Sequence, residues 1–334
     1  MKFKRRILMT ATLLGLASLN GAATAQTTAS TSSGQAWPDK PIRFVVPYTP
    51  GGGTDTVTRH IANAITQDAK WTFLIDNKAG GGGNIGLDMV AKAKADGYTV
   101  GMGQTANLAI NPALLPGMPF DPARDFAPVA LVAELPMVMV VRADSPWKSL
   151  ADAVKAAKAK PGEVKQALAS TGTVGHLAGE MMARRAGIKV LNVPYKGAAP
   201  AITDILGGQT DYMFATPQAV VGMIKGGKMR ALAVTSSKRL AILPEVPTVA
   251  ESGYKDFEAV DWKVIVAPAG TPPEVVRRLN AAVAKALTQP AMIAQLAAEG
   301  STPMSGSPEQ AAAYLKAEQA EWGKLIRDAG IKLE

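Results

Sequence analysis

Short runs of β-branched and apolar residues alternate along this chain with amphipathic stretches long enough for helices, and that alternation points to parallel sheets flanked by helices. Ile42–Val46 precedes a helical pattern over residues 55–66, the run at 72–75 precedes one over 84–95, and a further strand pattern covers 98–102. A second series opens with the apolar run at 136–141. It continues through a helix that starts at the capping box Ser149-Leu150-Ala151-Asp152 and stops at Pro161-Gly162. Strand and helix patterns then pair as 167–169 with 175–186, 190–193 with 198–206, and 211–214 with 218–225, and a strand at 231–235 closes the series. A loop punctuated by Pro244 and Pro247 leads to a strand at 262–268 and to C-terminal helices. Thr271-Pro272-Pro273-Glu274 and Ser307-Pro308-Glu309-Gln310 each read as a hydroxyl N-cap followed by Pro in the first turn. With 334 residues, 47% of them hydrophobic, the chain is long enough for two such units, so the expected architecture is two α/β lobes followed by helices.

At the N-terminus, Lys2, Lys4, Arg5 and Arg6 precede a short apolar run over 7–17, and Ala23-Thr24-Ala25 supplies small residues at a cleavage site. This pattern predicts a secretory signal peptide over 1–25, with a polar, aperiodic tail over 26–36 before the fold. Four of the cations behind the formal +9 would leave with that peptide, which would reduce the mature chain to +5, too mild a charge for a nucleic-acid partner. No later stretch offers 18 uninterrupted apolar residues and no cysteine follows the cleavage site, so no membrane anchor is expected. The chain has no cysteine and two histidines, His60 and His176, which excludes disulfides, thiolate nucleophiles and cysteine-based metal centres. The histidines stand more than 100 positions apart without an H-x-x-H spacing, so no metal is expected.

Glycines concentrate where strands give way to helices, at Pro50-Gly51-Gly52-Gly53-Thr54-Asp55 and at Gly80-Gly81-Gly82-Gly83-Asn84. Backbone N–H groups converging there, with the positive end of the following helix, suit an anion. One such loop alone is equally well a tight turn; two in one lobe favour a ligand. Gly81-Gly82-Gly83-Asn84-Ile85-Gly86 formally satisfies G-x-G-x-x-G, but the strand at 98–102 ends without the acidic residue that would hold a ribose, and no cofactor is expected. Neither a phosphate-binding G-x-x-x-x-G-K-[ST] nor a hydrolase G-x-S-x-G is present. Ser170-Thr171-Gly172-Thr173-Val174-Gly175-His176 again sets hydroxyls and glycines before a helix, where they can hold a polar ligand group or cap the helix. Val193-Pro194-Tyr195-Lys196-Gly197 ends a strand with an aromatic and a cation, suited either to closing over an acid or to a surface turn.

Several segments carry a wider resemblance, in order along nearly the whole mature chain. They include Trp37-Pro38-Asp39-Lys40-Pro41-Ile42-Arg43, the 45–55 segment, Asn84-Ile85-Gly86, Ala95-Asp96-Gly97-Tyr98-Thr99, Asp125-Phe126-Ala127-Pro128-Val129, Val193-Pro194-Tyr195-Lys196-Gly197 and Pro244-Glu245-Val246-Pro247 through Gly253. In these the chain resembles the Bug-type (TctC-like) extracytoplasmic solute-binding receptors of tripartite tricarboxylate transporters. The resemblance implies a type II periplasmic-binding fold, two α/β lobes joined by two crossover strands, the crossovers falling near 136–141 and 260–266. Lobe 1 would then comprise 37–138 and 263–334, and lobe 2 139–262. It implies a receptor rather than an enzyme, a monomer in the periplasm that closes on a small carboxylated anion (a di- or tricarboxylate, an amino acid or an aromatic acid). Its implied partners are the membrane components of such a transporter or a sensor protein. The ligand would be held by Tyr48, Thr49, Gly52, Gly53, Thr54 and Asp55 at one end and by Ser170, Thr171, Thr173, Gly175, His176 and Tyr195 at the other. The rival from a different class is a periplasmic α/β enzyme acting on a small organic acid, which the fold alone would permit.

Overall fold

The computed structural model describes residues 37–328, 330 and 331; the expected signal peptide and the polar tail lie outside them. From Pro38 onward the chain forms a single compact unit built on two mixed sheets. The first begins with β1 (Ile42–Val46), whose residues are buried at four of five positions, as suits a strand covered on both faces. Helix α1 (Gly53–Ala69) carries the chain to β2 (Phe73–Asn77), and a 3₁₀ turn at Gly81–Gly83 with α2 (Asn84–Ala91) carries it to β3 (Thr99–Gln104). All three strands run parallel, β1 between β2 and β3. A π-helical segment (Ala106–Ile110) and the short α3 (Asn111–Leu114) then lead to β4 (Phe126–Pro136), the longest strand.

At Met137 the chain leaves that sheet and enters the second through β5 (Val138–Arg142). Here α4 (Leu150–Ala159), β6 (Lys165–Leu168), α5 (Val174–Ala186), β7 (Leu191–Pro194), α6 (Ala198–Leu206), β8 (Tyr212–Ala215), α7 (Pro217–Lys225) and β9 (Met229–Val234) follow. The strand order is β7-β6-β8-β5-β9, with β6 parallel to β7 and β8 and with β5 antiparallel to β8 and β9. After the loop at 235–259 the chain returns through β10 (Val260–Pro268), which lies antiparallel between β3 and β4. Helices α8 (Pro273–Leu287) and α9 (Pro290–Ala298), a two-residue β11 (Thr302–Pro303) paired with β4, and α10 (Pro308–Asp328) complete the first sheet and its cover. Thus the first sheet is built from two stretches of chain and the second from one.

Both passages between sheets are tied at a single buried residue. Thr235 Oγ1 accepts from Met137 N–H at 2.7 Å and donates to the Ala259 carbonyl at 2.5 Å. Its own N–H donates to the Met137 carbonyl at 2.9 Å, and its carbonyl accepts from Ala259 N–H at 3.0 Å.

The helix starts behave as expected at two places and differ at a third. Ser149 and Asp152 form a reciprocal capping box on α4, and Ser307 does the same with Gln310 on α10. Thr271, expected as a cap, instead donates its hydroxyl to the Pro268 carbonyl at 2.7 Å, closing the turn that leaves β10, and Pro272 occupies the N-cap position of α8. With Pro at 273, the N2 donor that a Thr271 cap would use is missing.

Candidate functional site

Where the parallel strands of both sheets end, their outgoing loops face one cleft, the position at which open α/β sheets hold ligands. From the first lobe come Tyr48 and Gly52–Thr54 after β1, Gln104 at the end of β3, and Asp261 on β10. Ala169 and the Thr173–Gly175 turn after β6, Ala198 at the start of α6, Ala215 at the end of β8 and Thr216 after it supply the second-lobe wall. Met137, at the passage between the sheets, floors the cleft, which encloses about 520 Å³ of space including its mouth.

Four helices begin at this cleft: α1, α5, α6 and α7. Their N-cap residues are Gly52, Thr173, Gly197 and Thr216. Of the four, only the Thr173 side chain caps its own helix, accepting from His176 N–H at 3.3 Å; Gly52, Gly197 and Thr216 make no side-chain cap. First-turn N–H groups have no partner within a helix, so these starts bring donors and positive dipole ends to one place.

Glycine lets the walls approach this closely. A Cβ on Gly53 would fall against Thr216 Oγ1 and within 3.1 Å of Gln218 Oε1, and one on Gly52 would lie 3.9 Å from Ala198 Cβ. From the second lobe, a Cβ on Gly197 would overlap Thr49 Oγ1. Gln218 Nε2 also donates across the divide to Ser301 Oγ. The loops of the two sheets therefore meet across the cleft.

The expected site residues divide by location. Tyr48, Gly52, Gly53, Thr54, Thr173 and Gly175 line the cleft. The Tyr48 hydroxyl donates to the Gly82 carbonyl at 2.9 Å, and burial, with the Asp261 charge nearby, pushes its pKa far above the ordinary phenol value. Thr54 Oγ1 donates to Gln104 Oε1 at 2.5 Å. Asp55 stands in the first turn of α1 and caps no helix amide; Oδ2 accepts from Gly51 N–H at 3.0 Å and from Arg59 Nε at 3.0 Å, and Oδ1 from Asn77 Nδ2 at 2.9 Å. Burial raises its pKa, but these three donors outweigh burial and hold the carboxyl below the usual range. Asp55 thus shapes the loop from behind.

Thr49 holds its buried hydroxyl against Gly197. Ser170 and Thr171 line a second, more open hollow together with Gly81, Gly82, Asn84 and Ile85. His176 is buried, with Nδ1 accepting from Gly172 N–H at 3.2 Å; desolvation lowers its pKa against the opposing pull of Glu180. Tyr195 packs with the apolar cluster of the second lobe and donates to Asp204 at 2.6 Å; burial and then that hydrogen bond raise its pKa to about 12. His60 lies on α1, meets Glu299 at 2.7 Å and is not among the residues lining the cleft.

Three polar cleft residues were not singled out from sequence: Gln104, Thr216 and Asp261. Gln104 and Asp261 belong to a buried polar chain. Lys263, fully buried on β10, donates to Asp261 Oδ2 and to Gln104 Oε1 at 3.2 Å. Asp-x-Lys inside an otherwise apolar strand is the signal, because residues two apart share a face and opposite charges there can pair.

Among the described residues no cluster of three or more His, Cys, Asp or Glu is arranged to hold a metal, and no helix is long and apolar enough to cross a membrane. Residues 57–331 match the model of the tripartite tricarboxylate transporter family receptor. A curated protein from Pseudomonas sp. strain P51, the UPF0065 protein in the tcbD-tcbE intergenic region, is 41% identical over 311 residues, 92% of each chain. Among solved structures, the periplasmic binding protein BugD is 34% identical with a TM-score of 0.85, covering 89% of this chain and 100% of its own. The R. palustris protein Rpa4515, solved with adipate, is 36% identical with a TM-score of 0.85, covering 89% of this chain and 99% of its own.

Proposed function

The chain belongs to the tripartite tricarboxylate transporter receptor family, and from that premise we propose that it captures a small carboxylated organic anion between its two lobes for transport or sensing. The observation that carries this reading is the convergence of four helix starts on one cleft, three of them without a side-chain cap. A carboxylate seated there gains N–H donors and favourable dipoles without an arginine. Gln104 adds to them: its Oε1 is already engaged by Thr54 and Lys263, so the group it can offer a ligand is its amide N–H₂. Rpa4515, solved with adipate, supports the ligand class.

The lobes are proposed to be 37–136 with 260–331, and 138–234, hinging at Met137 and within 235–259; the expected limits at 138/139 and 262/263 shift because Val138 pairs within the second sheet and Val260–Trp262 pair with β4 in the first. The changes of sheet at those places support this division. Direct ligand contacts are assigned to Tyr48, the Gly52–Thr54 turn and the Thr173–Gly175 turn. Asp55, His176 and Tyr195 support the loops around them. The periplasm is the proposed location, as for BugD, and the membrane components of a tripartite transporter or a sensor protein are the proposed partners. The ligand is released unchanged rather than converted.

A thermal-shift screen over mono-, di- and tricarboxylates, amino acids and aromatic acids tests the reading. One class should stabilise the protein, by about 2.7 kcal/mol at a hundredfold excess over Kd, and be recovered intact by mass spectrometry. No shift with any anion, or chemical conversion of the compound that binds, would overturn it.

A further inference from the structure

The polar chain at the hinge side of the cleft ends in a carboxylate oxygen with nothing to hold. Asp261 is 3% exposed and lines the cleft, and its Oδ2 is taken by Lys263. The Lys263 ammonium also reaches Gln104 Oε1, so the one buried cation of this wall is divided between two acceptors. Asp261 Oδ1, buried as well, has no hydrogen-bond partner. Around it, the Tyr48 hydroxyl is committed to the Gly82 carbonyl and the Trp262 N–H to Thr105 Oγ1 at 2.8 Å. A buried charged acceptor without a donor is costly, and the Tyr48 hydroxyl and the Trp262 N–H are both engaged elsewhere.

Resting on the reading of the cleft as a carboxylate site, we propose that Asp261 Oδ1 is the acceptor for a hydrogen-bond donor on the ligand. The ligand is then a carboxylate that also bears an ammonium or a hydroxyl group. Its carboxylate lies at the helix starts, and its donor turns toward β10. The same oxygen repels a second carboxylate placed there, so Asp261 both selects the donor-bearing acid and rejects the plain dicarboxylate of the same length.

Matched pairs on the unaltered protein give the test by isothermal titration: succinate against malate and aspartate, and adipate against 2-hydroxyadipate and 2-aminoadipate. In the chain length that binds, the hydroxy or amino acid should bind roughly tenfold or more tightly than the unsubstituted diacid, the worth of a hydrogen bond to a charged group. Asp261→Asn should shrink or reverse that ratio, since its amide can turn N–H₂ toward the ligand. Should that variant fold poorly with Lys263 left unpaired, Asp261→Asn combined with Lys263→Met removes both charges and must likewise abolish the preference. An unsubstituted diacid that binds as tightly as both of its partners overturns the role of Asp261 while leaving the carboxylate reading intact. If neither the diacids nor their substituted partners bind, and no other carboxylate does, the reading and the inference fall together.

Discussion

Gly53 stands at the first helical position of α1, and a methyl group there meets Thr216 and Gln218 of the other lobe rather than its own helix. Gly53→Ala is therefore expected to cost little in the open protein, where alanine is the better helix former by about 1 kcal/mol, and to penalise only the closed one. Ligand affinity should drop by about tenfold or more, on the order of 1.4 kcal/mol, with the melting temperature of the unliganded protein nearly unchanged. Titration calorimetry beside differential scanning calorimetry separates the two, and unaltered affinity would mean that function does not require the lobes to come this close. Asp55 gives a pH-dependent prediction. Its folded pKa is depressed, so its contribution is complete above the ordinary carboxylate range and disappears as pH falls through the depressed value. The stability gap between the wild type and Asp55→Asn, from urea melts, should accordingly be constant near neutrality and close in acid; a gap that widens as pH falls would contradict the assignment. These two residues were within reach of sequence because glycine and proline mark turns and an acidic residue in a first turn has few other uses. Asp261 and Gln104 were not. A polar residue near a strand end is ordinarily solvated, and only the antiparallel pairing of Lys263 with Gln104 brings the two strands' polar groups together.

Thr235, just beyond the end of β9, joins both passages between the lobes through one hydroxyl. Thr235→Val keeps the volume and the backbone bonds but strands the Met137 N–H and the Ala259 carbonyl in a buried place. At about 1–3 kcal/mol for each of the two unsatisfied groups, a loss of roughly 2–6 kcal/mol in urea unfolding is expected. A loss below about 0.5 kcal/mol would show that the hinge relaxes around the missing bonds. Elements with plain local signals were legible: Ile42–Val46 and Ala198–Leu206 have the expected bounds, and the capping box sets the start of α4. β4 was not anticipated as a strand. Pro128, Glu134 and Pro136 interrupt its pattern, and its pairing with β10 spans more than a hundred residues of chain. Its two prolines are tolerated because the pairing with β10 shifts register along its length and Pro136 ends the strand. The π-helical segment after β3 likewise has no local signature, being set by how Asn107 bonds back to Gln104 N–H at 3.0 Å.

Two-lobed architecture was readable from the doubled βα alternation, whereas the identity of the cleft depends on which loop ends meet, a property of topology rather than of any one motif. Those ends belong to different lobes: Gly53 faces Thr216, Thr49 faces Gly197, and Asn111 faces Gly172. Contacts of this kind exist only when the lobes are together, and the helix starts surround an anion only in that state. Without an anion, the closed form crowds uncapped positive helix ends against one another, so the open form is expected to prevail and a ligand to shift the population toward closure. The rotation should be taken up at Met137 and along 235–259, where the chain changes sheet. Small-angle scattering should record a smaller radius of gyration at saturating ligand than without it. Gly53→Ala supplies the internal control: at a ligand concentration that saturates the variant too, its radius should stay larger than that of the liganded wild type, because the added methyl holds the walls apart. A radius unchanged by ligand in the wild type, combined with full affinity in the variant, would confine the site to one lobe and remove the clamp.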